Sequence, residues 1–218
     1  MTTVVLTTGK VLPQYFDKFL EQLKDIPHKI ASIWDNEDPK YVERLAAHNF
    51  KIVTSDHTQM PIIHAQNITL VKGVTTANEL GYDYILRTRF DIVCNDMPKY
   101  LELSAPLYRE KLTVLCGVGD YFLDIVVAGR TEDMVNTYKT HRVDDGRTIE
   151  KFLMDQYSGR STHTREEIRT MFHFSLPLCR ENGIEFVFFK KPDWIAPNRT
   201  IPDMLVISQY CNESHCWI

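Results

Sequence analysis

The chain has 218 residues, of which 44% are hydrophobic and 25% are charged, and its formal net charge is −4. These values are typical of one globular domain with enough residues to bury a good core. The small negative charge excludes a broad basic surface for nucleic acid or anionic lipid, so any anion-binding site must be local.

The cysteines and the two ends of the sequence indicate which cellular compartment and which domain organisation to expect. The five cysteines are an odd number with no CxxC pair, which argues against a disulfide framework and a structural zinc site. The N-terminus lacks the basic region of a secretion signal, and no stretch is long enough to span a membrane. We therefore expect reduced thiols in a cytoplasmic protein. Residues 1–218 contain no dividing linker and are predicted to form a single domain; the alternative, suggested by the abrupt end at NESHCWI, is that this domain is the first part of a longer polypeptide.

Strand-like and helix-like segments alternate along the first half of the chain, which is typical of α/β proteins. Each predicted strand is a short apolar run, and each predicted helix has apolar residues three or four positions apart. The predicted strands are 3–6, 29–34 and 50–53, and the predicted helices are 15–23, 41–48 and 64–80, the last ended by Gly81.

The alternation continues after Gly81. An apolar strand runs from Tyr82 towards Val93, and Thr131 with Asp133 predicts a capped helix start with an acidic first turn. Further strands are predicted at 111–115, 122–128 and 184–189, and helices at 131–140 and 148–157. The order predicts an α/β fold of three layers, with a central mixed, mostly parallel sheet of about six strands flanked by helices.

The segment YDYILRTRFDIV, from Tyr82 to Val93, places Arg87, Arg89 and Asp91 at the end of an apolar strand. A buried carboxylate without a partner is costly, so Asp91 should have an arginine, a metal ion or both beside it. Two guanidiniums on one strand face suit the oxygens of a phosphate. The cluster predicts a cation-assisted diphosphate site, and the alternative is an internal ion-pair network.

Small and polar residues follow other predicted strands. Thr7, Thr8 and Gly9 lie where the first strand ends, and the carboxyl edge of an α/β sheet is where ligands bind. Asp35 follows the second strand, and Asn67 lies early in the third helix, where an amide can read a base edge because it both donates and accepts. The alternatives are a plain turn, a capping aspartate and a surface amide. Neither a Rossmann fingerprint nor a P-loop is present.

Two acidic residues further along the chain are candidates for a general base. Glu150 lies in the first turn of a predicted helix, where the helix dipole keeps a carboxylate ionised. Asp120, like Asp124, precedes a predicted buried strand. The alternative for Glu150 is an ordinary first-turn glutamate. The sequence has no HExxH and no GxSxG, which disfavours a zinc hydrolase and covalent acyl transfer.

Four stretches occur in the order VVLTTGK, AQNITLVKGVTTANELGYDYILRTRFDI, GDYFLDIVVAGRTEDM and TIEKFLMDQY. Together they resemble the GT-A class of nucleotide-sugar glycosyltransferases, and more closely the WavE-like polysaccharide-synthesis proteins and chlorella-virus glycosyltransferases. In that comparison the second stretch ends in a variant of the DxD metal motif, the third is an acceptor-side strand and helix, and the fourth is an E-x-x-L helix. The resemblance covers most of residues 1–160.

The resemblance implies a GT-A, Rossmann-like fold and a role for each candidate residue. It differs from the standard motif at one position, because Arg89 stands where the first aspartate of DxD is usual. The implied roles are uridine binding by Thr7, Thr8, Gly9, Asp35 and Asn67, diphosphate or ribose binding by Arg87 and Arg89, Mn²⁺ or Mg²⁺ binding by Asp91, and base catalysis by Glu150 or Asp120.

The activity implied is transfer of a hexosyl unit, glucose- or rhamnose-like, from a UDP-sugar to a hydroxyl of a glycan or glycoprotein, with inversion. For a viral protein this would be protein glycosylation in the host cytosol, by a monomer or weak oligomer. One alternative is a sugar nucleotidyltransferase, although the loop TTGKVLP is poor in the glycine and basic residues that hold a triphosphate. Another is a catalytically silent module that binds a sugar nucleotide or glycan.

Overall fold

The computed structural model describes residues 1–57, 62–118, 121–122, 124–138, 149–160, 162–189, 204–207 and 216–217. Within these ranges, the strands form one large sheet and two small ones. The strands of the large sheet are β1 (Thr3–Thr8), β2 (Lys29–Trp34), β3 (Phe50–Ser55), β4 (Tyr84–Arg89), β6 (Thr113–Val114), β9 (Val127–Arg130) and β10 (His173–Phe174). The strands of the small sheets are β5 (Ile92–Cys94), β7 (Gly117–Val118), β8 (Tyr121–Phe122), β11 (Phe186–Phe189), β12 (Met204–Val206) and β13 (Cys216–Trp217).

The helices connect these strands, and a 3-10 turn at Pro13–Tyr15 leads into the first of them. The helices are α1 (Phe16–Gln22), α2 (Pro39–Ala47), α3 (Ile62–Glu79), α4 (Met97–Glu110), α5 (Thr131–Thr137), α6 (Ile149–Ser158), α7 (Arg165–Met171) and α8 (Leu176–Asn182). In the part of the chain that the structure describes, no helix is both long and apolar enough to cross a lipid bilayer.

The large sheet has seven strands in the order β10-β6-β9-β4-β1-β2-β3. Strands β1 to β4 pair in parallel, whereas β9 runs antiparallel to both of its neighbours, β4 and β6. The predicted α/β fold with a central mixed, mostly parallel sheet flanked by helices is therefore confirmed, with one strand more than expected.

Alternation along the strands creates two cores, one on each face of the sheet. On one face Val5 and Leu86 pack with Phe19 of α1 and Tyr100 of α4. On the other face Leu6 and its neighbours pack with α3 and α5, through side chains such as Leu70, Val74 and Met134. The sheet is thus the middle layer of three.

The structure corrects the second half of the sequence prediction, in which α4, α7 and α8 are missing. The predicted strand 122–128 is two short strands, β8 and β9, in different sheets, because the chain turns at Asp124 and Ile125. Helix α4 was not predicted, since its buried face is largely tyrosine and serine and Pro106 lies within it. The N-cap of α5 is Arg130, and the Thr131 hydroxyl instead donates to the Tyr82 carbonyl at 2.6 Å.

Helix α3 approaches the sheet closely because residue 73 is glycine. A Cβ atom at Gly73 would lie 2.6 Å from Leu6 Cδ1 and 3.1 Å from Ser32 Cβ. One turn earlier, Ser32 Oγ donates to the Thr69 carbonyl at 2.7 Å. These contacts fix the height of α3 above β1 and β2.

Substituting Gly73→Val should therefore lower the free energy of unfolding by about 1–3 kcal/mol, because the new methyl groups overpack against β1. Urea denaturation measures the change. The matched control is Thr75→Val, a β-branched substitution at an exposed position of the same helix, which should change stability by less than about 0.5 kcal/mol. Equal effects of the two substitutions would contradict close packing at Gly73.

Candidate functional site

The sheet reverses its strand order between β1 and β4. From β1 the chain moves outward to β2 and β3, and α3 then carries it back so that β4 pairs with the other side of β1. Ligands of open α/β sheets bind at the carboxyl ends of the strands at such a switch point. The register places Thr7 beside Thr88 and Thr8 beside Arg89 at this edge.

Buried hydroxyls collect at this switch point. The side chains of Thr7, Thr8 and Thr88 are at most 1% exposed, and their Oγ1 atoms make no hydrogen bond to any residue that the structure describes. Such a group costs about 1–3 kcal/mol when it has no partner. Gly9 follows with φ +102°, a conformation that favours glycine, and turns the chain away from the edge. The hydroxyls are therefore suited to a ligand that brings polar atoms.

Arg89 and Asp91 form a two-pronged pair at the end of β4. Arg89 Nε donates to Asp91 Oδ1 at 2.8 Å, and Nη2 donates to Oδ2 at 2.6 Å. The guanidinium also lies over the ring of Phe188, 5.4 Å from its centroid. The Arg89 side chain is 18% exposed and that of Asp91 is 9% exposed. The prediction that Asp91 should have an arginine beside it is confirmed.

The pairing of Asp91 with Arg89 bears on the prediction that Asp91 binds a cation. A carboxylate is the right ligand for a hard cation, but both Asp91 oxygens accept hydrogen bonds from Arg89. No group of three or more His, Cys, Asp or Glu residues suited to a metal occurs within the described ranges. Asp91 alone therefore does not make a metal site. Oxygen atoms of a substrate and of water would have to supply the other ligands of a cation. Binding of Mn²⁺ or Mg²⁺ by Asp91 stays a prediction.

Arg87, two residues earlier on the same strand face, is fully buried. Its Nη1 atom lies 2.9 Å from Asp124 Oδ1, and the Tyr138 hydroxyl donates to the same oxygen at 3.1 Å. Burial and the nearby Asp124 charge raise the pKa of Tyr138 well above its ordinary value, so the hydroxyl stays protonated and keeps donating. Arg87 is thus paired inside the protein with Asp124, in the turn before β9, and is not exposed to solvent.

The other predicted residues are spread around this edge. Asp35 is exposed just after β2, and its Oδ1 accepts from the His57 backbone N–H at 2.8 Å. Asn67 is fully buried in α3, early in the helix that packs over β1. Glu150 lies in the first turn of α6, as predicted, although its side chain is outside the described part. Asp120 also lies outside the described residues.

Two open cavities lie near the carboxyl ends of β1, β2 and β3. One, of 520 Å³, lies beside the carboxyl ends of β1 and β2 and is lined by the loop segments 10–14 and 36–41. Within its wall the Glu37 carboxylate accepts from the Val11 backbone N–H at 3.0 Å and ties the two loops together. The other, of 580 Å³, lies between Ser55 and the outer face of α3. Neither is lined by the predicted site residues, so our placement of the site rests on the strand ends at the switch point and not on a cavity.

Sequence reasoning missed three contributors to this region. Thr88 and Tyr138 were not singled out from the sequence. Asp124 was singled out, but it was not linked to Arg87. One signal was available, because an arginine in the middle of an apolar strand needs a carboxylate nearby. The sequence did not identify that carboxylate, since Asp124 is 37 positions from Arg87.

No family model matches the sequence, and no curated protein matches it. Among solved structures, a cytidylyltransferase from Leptospira borgpetersenii serovar Hardjo-bovis is similar, with a TM-score of 0.51 and 12% identity over 80% of this chain and 76% of that one. A nucleoside-diphosphate-sugar pyrophosphorylase from Vibrio cholerae RC9 has a TM-score of 0.46 and 13% identity, over 78% of this chain and 91% of that one. The first similarity shows that the two proteins share an α/β fold.

Substitution of Asp124 tests the buried ion pair of Asp124 with Arg87. Asp124→Asn should lower the free energy of unfolding by about 3–5 kcal/mol, because it leaves the Arg87 charge buried without a counter-charge. Asp17, which pairs with Arg44 on the surface, gives the matched control. Asp17→Asn should cost less than about 1 kcal/mol. Similar urea midpoints for the two variants would rule out the buried ion pair.

Proposed function

We propose that the chain is a transferase that binds a sugar nucleotide at the carboxyl ends of β1 and β4. The observation that carries the proposal is the juxtaposition of Arg89, oriented by Asp91, with the unsatisfied hydroxyl of Thr8 at the switch point of the sheet. A guanidinium is a good donor to phosphate oxygens. The buried hydroxyl would gain a hydrogen bond that no residue in the described ranges supplies.

The reaction that we propose is transfer of a hexosyl unit from a UDP-sugar to a hydroxyl of a glycan. The acceptor oxygen attacks the anomeric carbon, the bond from that carbon to the diphosphate oxygen breaks, and the electron pair leaves with UDP. Glu150 takes the acceptor proton in this scheme, and direct displacement inverts the anomeric centre. Arg89 stabilises the charge on the departing diphosphate. A divalent cation, if Asp91 holds one, would neutralise that same charge.

Nucleotidyl transfer is the second candidate, because the similar Leptospira protein is a cytidylyltransferase. In that reaction a sugar-phosphate oxygen would attack the α-phosphorus of a nucleoside triphosphate, and pyrophosphate would leave. The loop after β1, TTGKVLP, has one glycine and one lysine to meet a triphosphate. That composition is why we place glycosyl transfer first.

Two measurements test the proposal. A thermal-shift panel should show stabilisation by UDP and UDP-sugars above that by GDP, CMP or CTP, since a ligand that binds only the folded state raises its stability. Turnover should then release UDP. Pyrophosphate release would favour nucleotidyl transfer, and UDP-sugar binding without turnover would favour a silent binding module. A preference for GDP would overturn the uridine assignment, and no shift with any nucleotide would overturn the proposal.

Thr8→Val should separate the ligand role of Thr8 from a structural one. Because the hydroxyl is buried without a described partner, the substitution should stabilise the unliganded protein by about 1 kcal/mol. It should nevertheless weaken UDP binding by about fivefold to tenfold, since one hydrogen bond is lost.

The control is Thr137→Val, at a buried threonine whose hydroxyl donates to the Asp133 carbonyl at 2.8 Å. It should destabilise the protein by about 1 kcal/mol and leave UDP affinity unchanged. Urea denaturation and calorimetric titration with UDP measure the two effects. Loss of stability in Thr8→Val, with unchanged UDP affinity, would remove Thr8 from the site.

A further inference from the structure

The Arg89 guanidinium is held on two of its surfaces. Asp91 accepts hydrogen bonds from Nε at 2.8 Å and from Nη2 at 2.6 Å, so it holds one edge of the planar group. The half-buried Phe188 holds the face, with the guanidinium carbon Cζ 5.4 Å from the centroid of the ring. A planar cation that is held at one edge and on one face has both its direction and its plane fixed.

The two contacts come from different parts of the chain. Asp91 is two residues from Arg89, and an ion pair between near neighbours fixes the two side chains relative to each other but not relative to the rest of the fold. Phe188 belongs to β11, which pairs antiparallel with β5 and places Phe188 opposite Ile92. The ring therefore ties the guanidinium to a second strand, which the fold brings from far along the sequence.

Strand β11 is anchored beside this contact. The Phe189 backbone N–H donates to the Asp91 carbonyl at 2.8 Å, so the same strand also holds the backbone of the carboxylate. The Phe189 ring stacks on Tyr15, with ring centroids 3.8 Å apart and 19° between the planes. Tyr15 ends the 3-10 turn that follows the loop after β1. Strand β11 thus connects Arg89 with the loop that begins at Gly9.

Such an anchor matters for binding, because an arginine side chain has many rotamers and the freedom that it loses on binding weakens affinity unless it is held beforehand. The ring attracts the face of the guanidinium whichever anion the N–H groups meet. On the basis of the proposed function, we infer that Phe188 is a positioning residue, which holds Arg89 in the orientation that receives the diphosphate of a sugar nucleotide. Phe188 acts through Arg89, and its contribution to binding is indirect.

Removal of the ring tests this role. Phe188→Leu keeps an apolar side chain against the core but removes the contact with the cation, so UDP affinity measured by calorimetry should fall about threefold to tenfold. Phe188→Tyr keeps the ring and should bind UDP within about twofold of the unmodified protein. Phe188→Met replaces the leucine variant if that variant does not fold. Unchanged UDP affinity in the folded leucine or methionine variant would overturn the inference.

A double-mutant cycle distinguishes positioning from a merely structural role. If Phe188 acts through Arg89, then Phe188→Leu should change UDP affinity by less than about twofold in an Arg89→Gln background. Ligand-observed NMR measures the weaker affinities of these variants. A structural role would instead lower UDP affinity by the same factor in both backgrounds, and that result would also overturn the inference.

The matched control is Phe186→Leu, the same substitution two residues earlier on β11. The Phe186 ring packs edge-on against Tyr100 in the core, with 4.8 Å between the ring centroids. This variant should lower the urea midpoint and leave UDP affinity within about twofold of the unmodified protein. The failures are distinguishable: absence of UDP binding by the unmodified protein would refute the proposed function, whereas UDP binding that both leucine substitutions weaken equally would refute only the role of Phe188.

Discussion

Two guanidiniums on one central strand are the constraint on which the rest of this structure depends. Arg87 is fully buried, and a buried charge is tolerated only with a counter-charge and hydrogen bonds. Asp124 supplies the counter-charge from the turn that separates β8 from β9, and Tyr138, just after α5, donates to the same carboxylate. The antiparallel strand and the helix that follows it are thus tied to β4 by the need to neutralise one side chain.

Arg89 also needs a counter-charge, and Asp91, two residues further along the chain, provides it. The difference between the two arginines is one of depth. The deeper one is paired inside the core, and the shallower one, whose side chain is 18% exposed, is the one that we propose for ligand binding. Helix α3 contributes to the same edge, because Gly73 lets it lie against Leu6 and Ser32. On that face the polar side chains of Thr8, in β1, and Asn67, in α3, are buried.

Glycosyl transfer and nucleotidyl transfer would both require a binding site for the phosphates of a nucleotide at this edge of the sheet, beside the central strands. They differ in the bond that breaks, at the anomeric carbon in one case and at phosphorus in the other. A catalytic base and an acceptor site would decide between them, and the candidate bases of the proposal, Glu150 and Asp120, lie in the second half of the chain. The fold shared with a cytidylyltransferase is consistent with either chemistry, because function resides in the site and not in the fold.

The sequence by itself determined the α/β alternation, the strand β2 at its observed bounds, the Gly81 turn with φ +75°, and the need of Asp91 for a cationic partner, which the structure shows to be Arg89. These follow from local patterns: side-chain period, left-handed glycine, and the cost of a buried charge. Tertiary structure alone decided that Asp124 is the partner of Arg87, that residues 122–128 are divided between two sheets, and that a tyrosine-rich face of α4 lies in the core. The physical reason is that a buried charge requires a partner but does not specify where in the chain it lies, and only the packed fold brings the two together.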